Sequence, residues 1–309
     1  MYDNAGFKRK SGLVKYSVFF LLYIVLLSTA IGNNVDQYFN KLISLSPHPP
    51  GSANHEKTKS YIINVLRKNN AKVKLQKFIY KNPFIGKTEG INIIASYKGR
   101  SEEEILFVSH WDTRPVADKE KKESLKKRPI IGANDGNSST AVLLALSDYL
   151  KKIENPEFTV VLVFFDAEDS GTNSKNYCIG SQYFVDEYNL DNIRYGILID
   201  MIGDKNLEIP KEGFSYLYSK KTTESVWQLA KEYFGYAFFK DKIGRFIVDD
   251  HYPFLKKGVP FVNIIDFQYQ HWHKLSDIKE NCSIKNMEKI LKLLKHIANN
   301  PKKIYVDQN

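Results

Sequence analysis

Apolar residues recur every three or four positions over 35–45, 55–68, 138–152, 224–234, 252–257 and 284–298, a spacing that predicts amphipathic helices there. Between them, runs rich in β-branched and aromatic residues predict strands over 72–80, 91–97, 105–110, 158–165, 195–200 and 259–266. The run 158–165 is nearly all apolar, which predicts a strand covered on both faces in the middle of a sheet. Pro47-His48-Pro49-Pro50-Gly51-Ser52 breaks the helical pattern, because proline fixes φ and glycine frees it, and Asn54 is placed to cap the helix that follows. Residues 119–129 read as a charged surface loop. No internal repeat and no linker rich in Gly, Pro or Ser divides the pattern, so the alternation of elements predicts one α/β domain around a central sheet.

The length of 309 residues, 43% of them hydrophobic, is enough to bury a full core. The net charge of +10 is spread mostly as single lysines, without a basic stripe interleaved with aromatic residues, and this argues against a nucleic-acid partner. At the N-terminus, Lys8, Arg9, Lys10 and Lys15 precede an uncharged, mostly apolar run over 16–31 closed by small residues, among them Ala30 and Gly32. Residues 1–32 are therefore expected to be a signal peptide or N-terminal anchor, with the folded domain over 33–309. The run is shorter than the ~20 apolar residues that span a bilayer comfortably, which favours a cleaved leader. The expected compartment is exported (secreted, periplasmic or secretory-pathway lumen), with membrane contact only through an uncleaved leader. The two cysteines, Cys178 and Cys282, could pair in such a compartment or remain buried thiols.

Most of the residues suited to metal or proton chemistry follow the predicted strands. His110-Trp111-Asp112, Asn134-Asp135-Gly136, Asp166-Ala167-Glu168-Asp169 and Trp272-His273 are far apart in sequence, but an open α/β sheet gathers strand ends into one ligand-binding crevice. Asp135, Asp169 and His273 offer one nitrogen and two carboxylates, a set that suits a catalytic Zn²⁺ with an open fourth position. Glu168 is then the adjacent acid/base. Crowded acids such as Asp166, Glu168 and Asp169 repel one another unless a cation or shared protons offset them. Other readings stand beside these. Asp135 lies in a turn sequence and could cap a helix, as could Asp250. Alternation would place His271 and His273 on one side of an extended segment, leaving open which is the ligand. His110 with Asp112 could serve a second metal or be structural. Trp272 could wall a pocket or be core.

Taken together, Ser109-His110-Trp111-Asp112-Thr113-Arg114-Pro115, Gly132-Ala133-Asn134-Asp135-Gly136, Phe165-Asp166-Ala167-Glu168-Asp169, Asp200-Met201-Ile202-Gly203 and Asp249-Asp250-His251-Tyr252-Pro253-Phe254-Leu255 resemble the zinc-dependent glutaminyl cyclases. These are relatives of the zinc aminopeptidases. The resemblance runs from Pro50 to His273 and implies the aminopeptidase-like fold, a mostly parallel mixed sheet flanked by helices. It further implies one Zn²⁺ per chain on Asp135, Asp169 and His273, Glu168 as proton shuttle, Asp200 and Asp249 as a supporting carboxylate network, and Trp272 lining the substrate pocket. The implied reaction converts the N-terminal glutaminyl residue of a peptide or protein to pyroglutamate with loss of ammonia. Three positions depart from the family pattern. Asp169 stands where animal cyclases usually carry Glu, Asn263 where they tend to have His, and Ser174 near a pocket Trp. The alternative is a two-zinc aminopeptidase of the same fold, with His110 and Asp200 on a second metal and Asp135 bridging.

Overall fold

The computed structural model describes Met1 and residues 34–173, 176–235 and 237–306. The chain falls into two units, Met1–Asn34 and Val35–Asn309, and the architecture below is that of the second. Apart from Met1, the expected leader lies outside the described residues, as does Ser174. Among the described residues no helix is long and apolar enough to cross a membrane.

The second unit opens with helices α1 (Val35–Leu45) and α2 (Ala53–Lys68), then strands β1 (Lys72–Asn82), β2 (Gly86–Tyr97) and β3 (Glu104–His110). A short helix α3 (Glu123–Lys126) interrupts the charged loop, followed by α4 (Ser139–Leu150), β4 (Thr159–Phe165), α5 (Ile179–Glu187) and β5 (Ile193–Asp200). The remainder is β6 (Ile209–Lys211), α6 (Gly213–Tyr218), α7 (Lys220–Phe234), β7 (Phe239–Ile243), α8 (Tyr252–Lys256), β8 (Phe261–Ile265) and α9 (Ile284–Asn299). Six strands form one sheet in the order β1-β2-β4-β3-β5-β8, and β6 and β7 form a separate pair. β1, β2 and β4 run antiparallel to their neighbours in turn, whereas β4, β3, β5 and β8 are mutually parallel.

The unbroken apolar run of β4 has a direct cause. Val160, Leu162 and Phe164 enter the larger core with the buried face of α4, while Val161, Val163 and Phe165 enter a second core with Phe184 and Phe254. Successive side chains point to opposite faces, so a strand covered on both sides carries no polar period. α4 is buried along most of its length, including Val142, Leu143, Leu144 and Leu146, each worth about 1.5–3 kcal/mol relative to exposure.

Several local expectations change. Ser52, not Asn54, caps α2: its Oγ accepts from the His55 amide at 3.1 Å, and Asn54 instead donates to the Pro47 carbonyl. α4 begins at Ser139, because the preceding turn, Ala133–Ser138, holds Asp135 and Gly136 in non-helical conformations. α5, α6 and the β6–β7 pair had no clear periodic signal, being short and partly polar.

Candidate active site

β3 delivers His110, β4 delivers Asp166 to Asp169, and β5 delivers Asp200 at the C-terminal edge of adjacent parallel strands. Ala167 has φ 57° and Met201 φ 47°, so the chain turns sharply at two of these strand ends. Left-handed backbone at a non-glycine residue costs about 1–3 kcal/mol and persists only where surrounding structure imposes it. His273, at φ 55°, and Cys178, at φ 56°, carry the same strain beside the same site. Gly136 is required for a different reason. It sits at φ 93°, and a Cβ there would meet the Asp112 carbonyl at 2.8 Å and the His110 ring at 3.0 Å.

The strand ends meet over a cavity of about 390 Å³ whose floor includes Asp135, Glu168, Asp169, Asp200, Asp249 and His273, and whose walls include Phe246, Ile247, Phe267 and Trp272. Ligand atoms of Asp135, Asp169 and His273 lie within 4.8 Å of one another, as do those of His110, Asp135 and Asp200. His273 Nε2 is 3.2 Å from Asp169 Oδ1 and 3.7 Å from Asp135 Oδ2. His110 Nε2 is 3.2 Å from Asp135 Oδ1 and 3.3 Å from Asp200 Oδ1. Asp135 therefore joins both groups. Its Oδ2 and that of Asp169 are buried with no hydrogen-bond partner, a condition that costs about 1–3 kcal/mol per group. Two orphaned carboxylate oxygens beside an imidazole nitrogen are a donor set that fits zinc.

The two histidines near Trp272 are resolved as well. Residues 270–273 form a turn and not an extended strand, so the alternation argument fails. His273 enters the site, and His271 turns away to hydrogen-bond Ser276 at 2.8 Å. Asp250 does not cap α8, since both its carboxylate oxygens are buried without a partner. Asn263 donates to Asp249 Oδ2 at 2.7 Å and holds that carboxylate in place. Both cysteines are free, and Cys178 Sγ donates to Glu168 Oε1 at 3.3 Å.

Three supporting residues had no site signal of their own. Arg114, 2% exposed, donates from Nη1 to Asp169 Oδ1 at 2.9 Å and from Nε to Asp118 Oδ1 at 2.7 Å. Asp118 in turn lies 3.2 Å from His273 Nδ1 and sets the orientation of that ring. Asp277 accepts from the amides of Asn134 and Asp135 at 2.8 and 3.1 Å, and so clamps the turn that carries Asp135. Asp112 does the same for the Glu168 and Asp169 amides, both at 3.2 Å, while its Oδ1 lies 3.5 Å from His110 Nδ1. Tyr177 lines the cavity.

The charges are strongly coupled. Burial, then the neighbouring Asp169 charge, pushes Asp135 up to about 6. Burial and the Asp200 charge push Asp249 up to about 6. Glu168 is raised well above the carboxylate range, by burial first and then by Asp169, Asp249 and Asp250 acting against His110. Asp169 goes the other way: burial opposes its charge, but His273 and Arg114 outweigh that and lower it. Burial likewise disfavours the His110 and His273 cations, yet the surrounding carboxylates raise both, His273 to about 9.

Parallel strands ending in clustered carboxylates and imidazoles form a candidate metal centre on an aminopeptidase-like α/β fold. The chain belongs to peptidase family M28, whose family model matches residues 92–298. It is 26% identical over 260 residues to a glutaminyl-peptide cyclotransferase of Drosophila melanogaster, covering 75% of this chain and 71% of that protein. Among solved structures it is similar to Porphyromonas gingivalis glutaminyl cyclase, with a TM-score of 0.83 and 28% identity over 87% of this chain and 97% of the other. A leucine aminopeptidase precursor from Bacteroides thetaiotaomicron gives the same TM-score, 0.83, with 29% identity over 86% of this chain and 96% of its own.

Proposed function

We propose that this chain is a zinc-dependent glutaminyl-peptide cyclotransferase, converting the N-terminal glutaminyl residue of peptides and proteins to pyroglutamate. The observation that carries the reading is the placement of Glu168. It lines the same cavity as the Asp135, Asp169 and His273 donors, next to Asp169 in the chain, and burial, with Asp169, Asp249 and Asp250 around it, raises its affinity for a proton well above that of an ordinary carboxylate. The similarity to cyclotransferases over most of the chain supports the same activity.

Asp135, Asp169 and His273 would hold the ion, with the orphaned Asp135 and Asp169 oxygens as its acidic donors. A bound zinc supplies Lewis-acid polarisation of the substrate's γ-amide carbonyl. Once the bound ammonium has lost one proton to solvent, the free α-amine bonds to the γ-carbonyl carbon; Glu168 takes the proton that this nitrogen then releases and returns it to the amide nitrogen as that carbon–nitrogen bond breaks and ammonia leaves. Asp200 and Asp249, both lining the cavity, keep the Glu168 side of the site negative and so favour the incoming ammonium. Trp272 would wall the pocket, its ring tilted by 34° against that of His273 with centroids 4.0 Å apart. The basic and then apolar N-terminal pattern supports an exported compartment for this activity.

One observation favours a second reading: the His110–Asp135–Asp200 group could hold a second metal, as a two-metal aminopeptidase requires. A zinc-loaded preparation incubated with a Gln-initiated peptide separates the two. Loss of ammonia with the chain intact is expected; release of a free N-terminal amino acid transfers the assignment to the peptidase.

A further inference from the structure

The acidic floor of the cavity has a cationic counterpart at its aromatic wall. Phe267 and Trp272 pack with ring centroids 4.9 Å apart. Arg245, on the cavity lining, has its Cζ 5.8 Å from the centroid of Phe267, and Lys119, outside that lining, has its Nζ 5.1 Å from that of Trp272. Both cations are exposed, and among the described residues neither has a carboxylate within ion-pairing distance. Lys242, by contrast, is already paired with Glu208 at 2.6 Å. Arg245 also lines a second cavity of about 260 Å³, which shares Ile247, Ile265 and Phe267 with the first. The two chambers therefore adjoin, and Arg245 stands at their partition.

We propose that Arg245 and Lys119 select peptides that carry a carboxylate in the residues directly following the N-terminal glutamine. This rests on the cyclotransferase reading. A peptide whose N-terminal ammonium enters among Glu168, Asp200 and Asp249 leaves its next residues at the aromatic wall. A carboxylate there would be repelled by the floor, and the two unpaired cations reverse that balance. The field runs from negative at the floor to positive at the wall, matching a substrate with an ammonium at its end and an acid one or two residues on.

The test compares kcat/KM for C-terminally amidated peptides that begin Gln-Glu, Gln-Gln and Gln-Lys and are otherwise identical, with wild-type enzyme, Arg245→Gln and Lys119→Gln. A free-acid form of a short Gln-Gln peptide distinguishes a chain-end carboxylate from a side-chain one. The carboxylate peptide should be favoured over its neutral match by about two- to fivefold, the range for one exposed charge pair, through KM. The ratio should shrink in high salt and fall towards one in either variant. A gain in either carboxylate arm supports the inference and names the source. A wild-type ratio near one in both arms, or a ratio that neither substitution changes, overturns it. Should no peptide release ammonia, the cyclotransferase reading fails by itself. The same ratios are then measured as dissociation constants by calorimetry and judged by the same outcomes.

Discussion

Arg114→Met should destabilise the metal-free protein far more than the zinc-loaded one. The guanidinium is 2% exposed, and its Nη1 bonds both Asp169 Oδ1, at 2.9 Å, and the Asp169 carbonyl, at 3.0 Å; Nη2 adds the Gly171 carbonyl at 3.2 Å. Asp169 is buried, so its charge cannot turn to water when the arginine is removed. Breaking such a pair by deleting one partner costs about 3–5 kcal/mol. The Asp118 contact adds little, because that side chain is 37% exposed and is rehydrated. At roughly 2–4 °C per kcal/mol for a domain of this size, the apo Tm should fall by about 10 °C. A zinc ion bound to Asp169 supplies the missing positive charge, so the fall in the loaded protein should be smaller. Asp169 has a depressed folded pKa, so its contribution is fully present above the unfolded value of about 3.9 and is lost as pH falls through the folded value. The variant and wild-type curves should therefore converge at low pH. Thermal denaturation with chelator and with zinc, from pH 3 to pH 8, is the assay. An equal loss with and without zinc, or no loss in the apo form, would refute the argument that Arg114 neutralises a charge the metal also meets.

Glu168→Gln should keep zinc and fold while lowering kcat by about 10²- to 10⁴-fold. Because it removes a carboxyl crowded by Asp169, Asp249 and Asp250, its Tm should not fall; a variant with wild-type turnover would remove Glu168 from the proton path. Metal analysis should find one zinc per chain, lost in His273→Ala and kept in His110→Ala, whereas two ions with one lost in His110→Ala would favour the peptidase arrangement. His48 is buried, bonds Asn137 Oδ1 at 3.1 Å, and is held down to about 4 by burial. The unfolded chain protonates it near 6.5, so stability should drop as pH falls from there, by about 3 kcal/mol at most. His48→Gln should flatten that dependence in chelator-treated protein, and an unchanged slope would show that another group is responsible.

The elements read well from sequence are those with one strong period. β4 was legible as a doubly covered central strand because nothing polar interrupts it, and α9 because Met287, Ile290, Leu291, Leu294 and Ile297 repeat along one buried face. The β6–β7 pair and α6 were not legible: they are three to six residues long, and their burial comes from neighbours remote in sequence. The turn at residues 270–273 misled for a related reason, since two-residue alternation carries meaning only if the backbone is extended.

By itself the sequence determined the α/β alternation, the basic and apolar pattern of the first 32 residues, and the residue types available for chemistry, because those depend on local period and composition. Which groups meet was decided only by the tertiary structure. The parallel order β4-β3-β5 sets Asp169 and Asp200 on one cavity, with His110 buried 3.3 Å from Asp200. Long-range contacts make Arg114, Asp118, Asp112 and Asp277 into its supports. A buried charge is stabilised by whatever opposite charge or amide lies within about 4 Å, and that distance is a property of the fold.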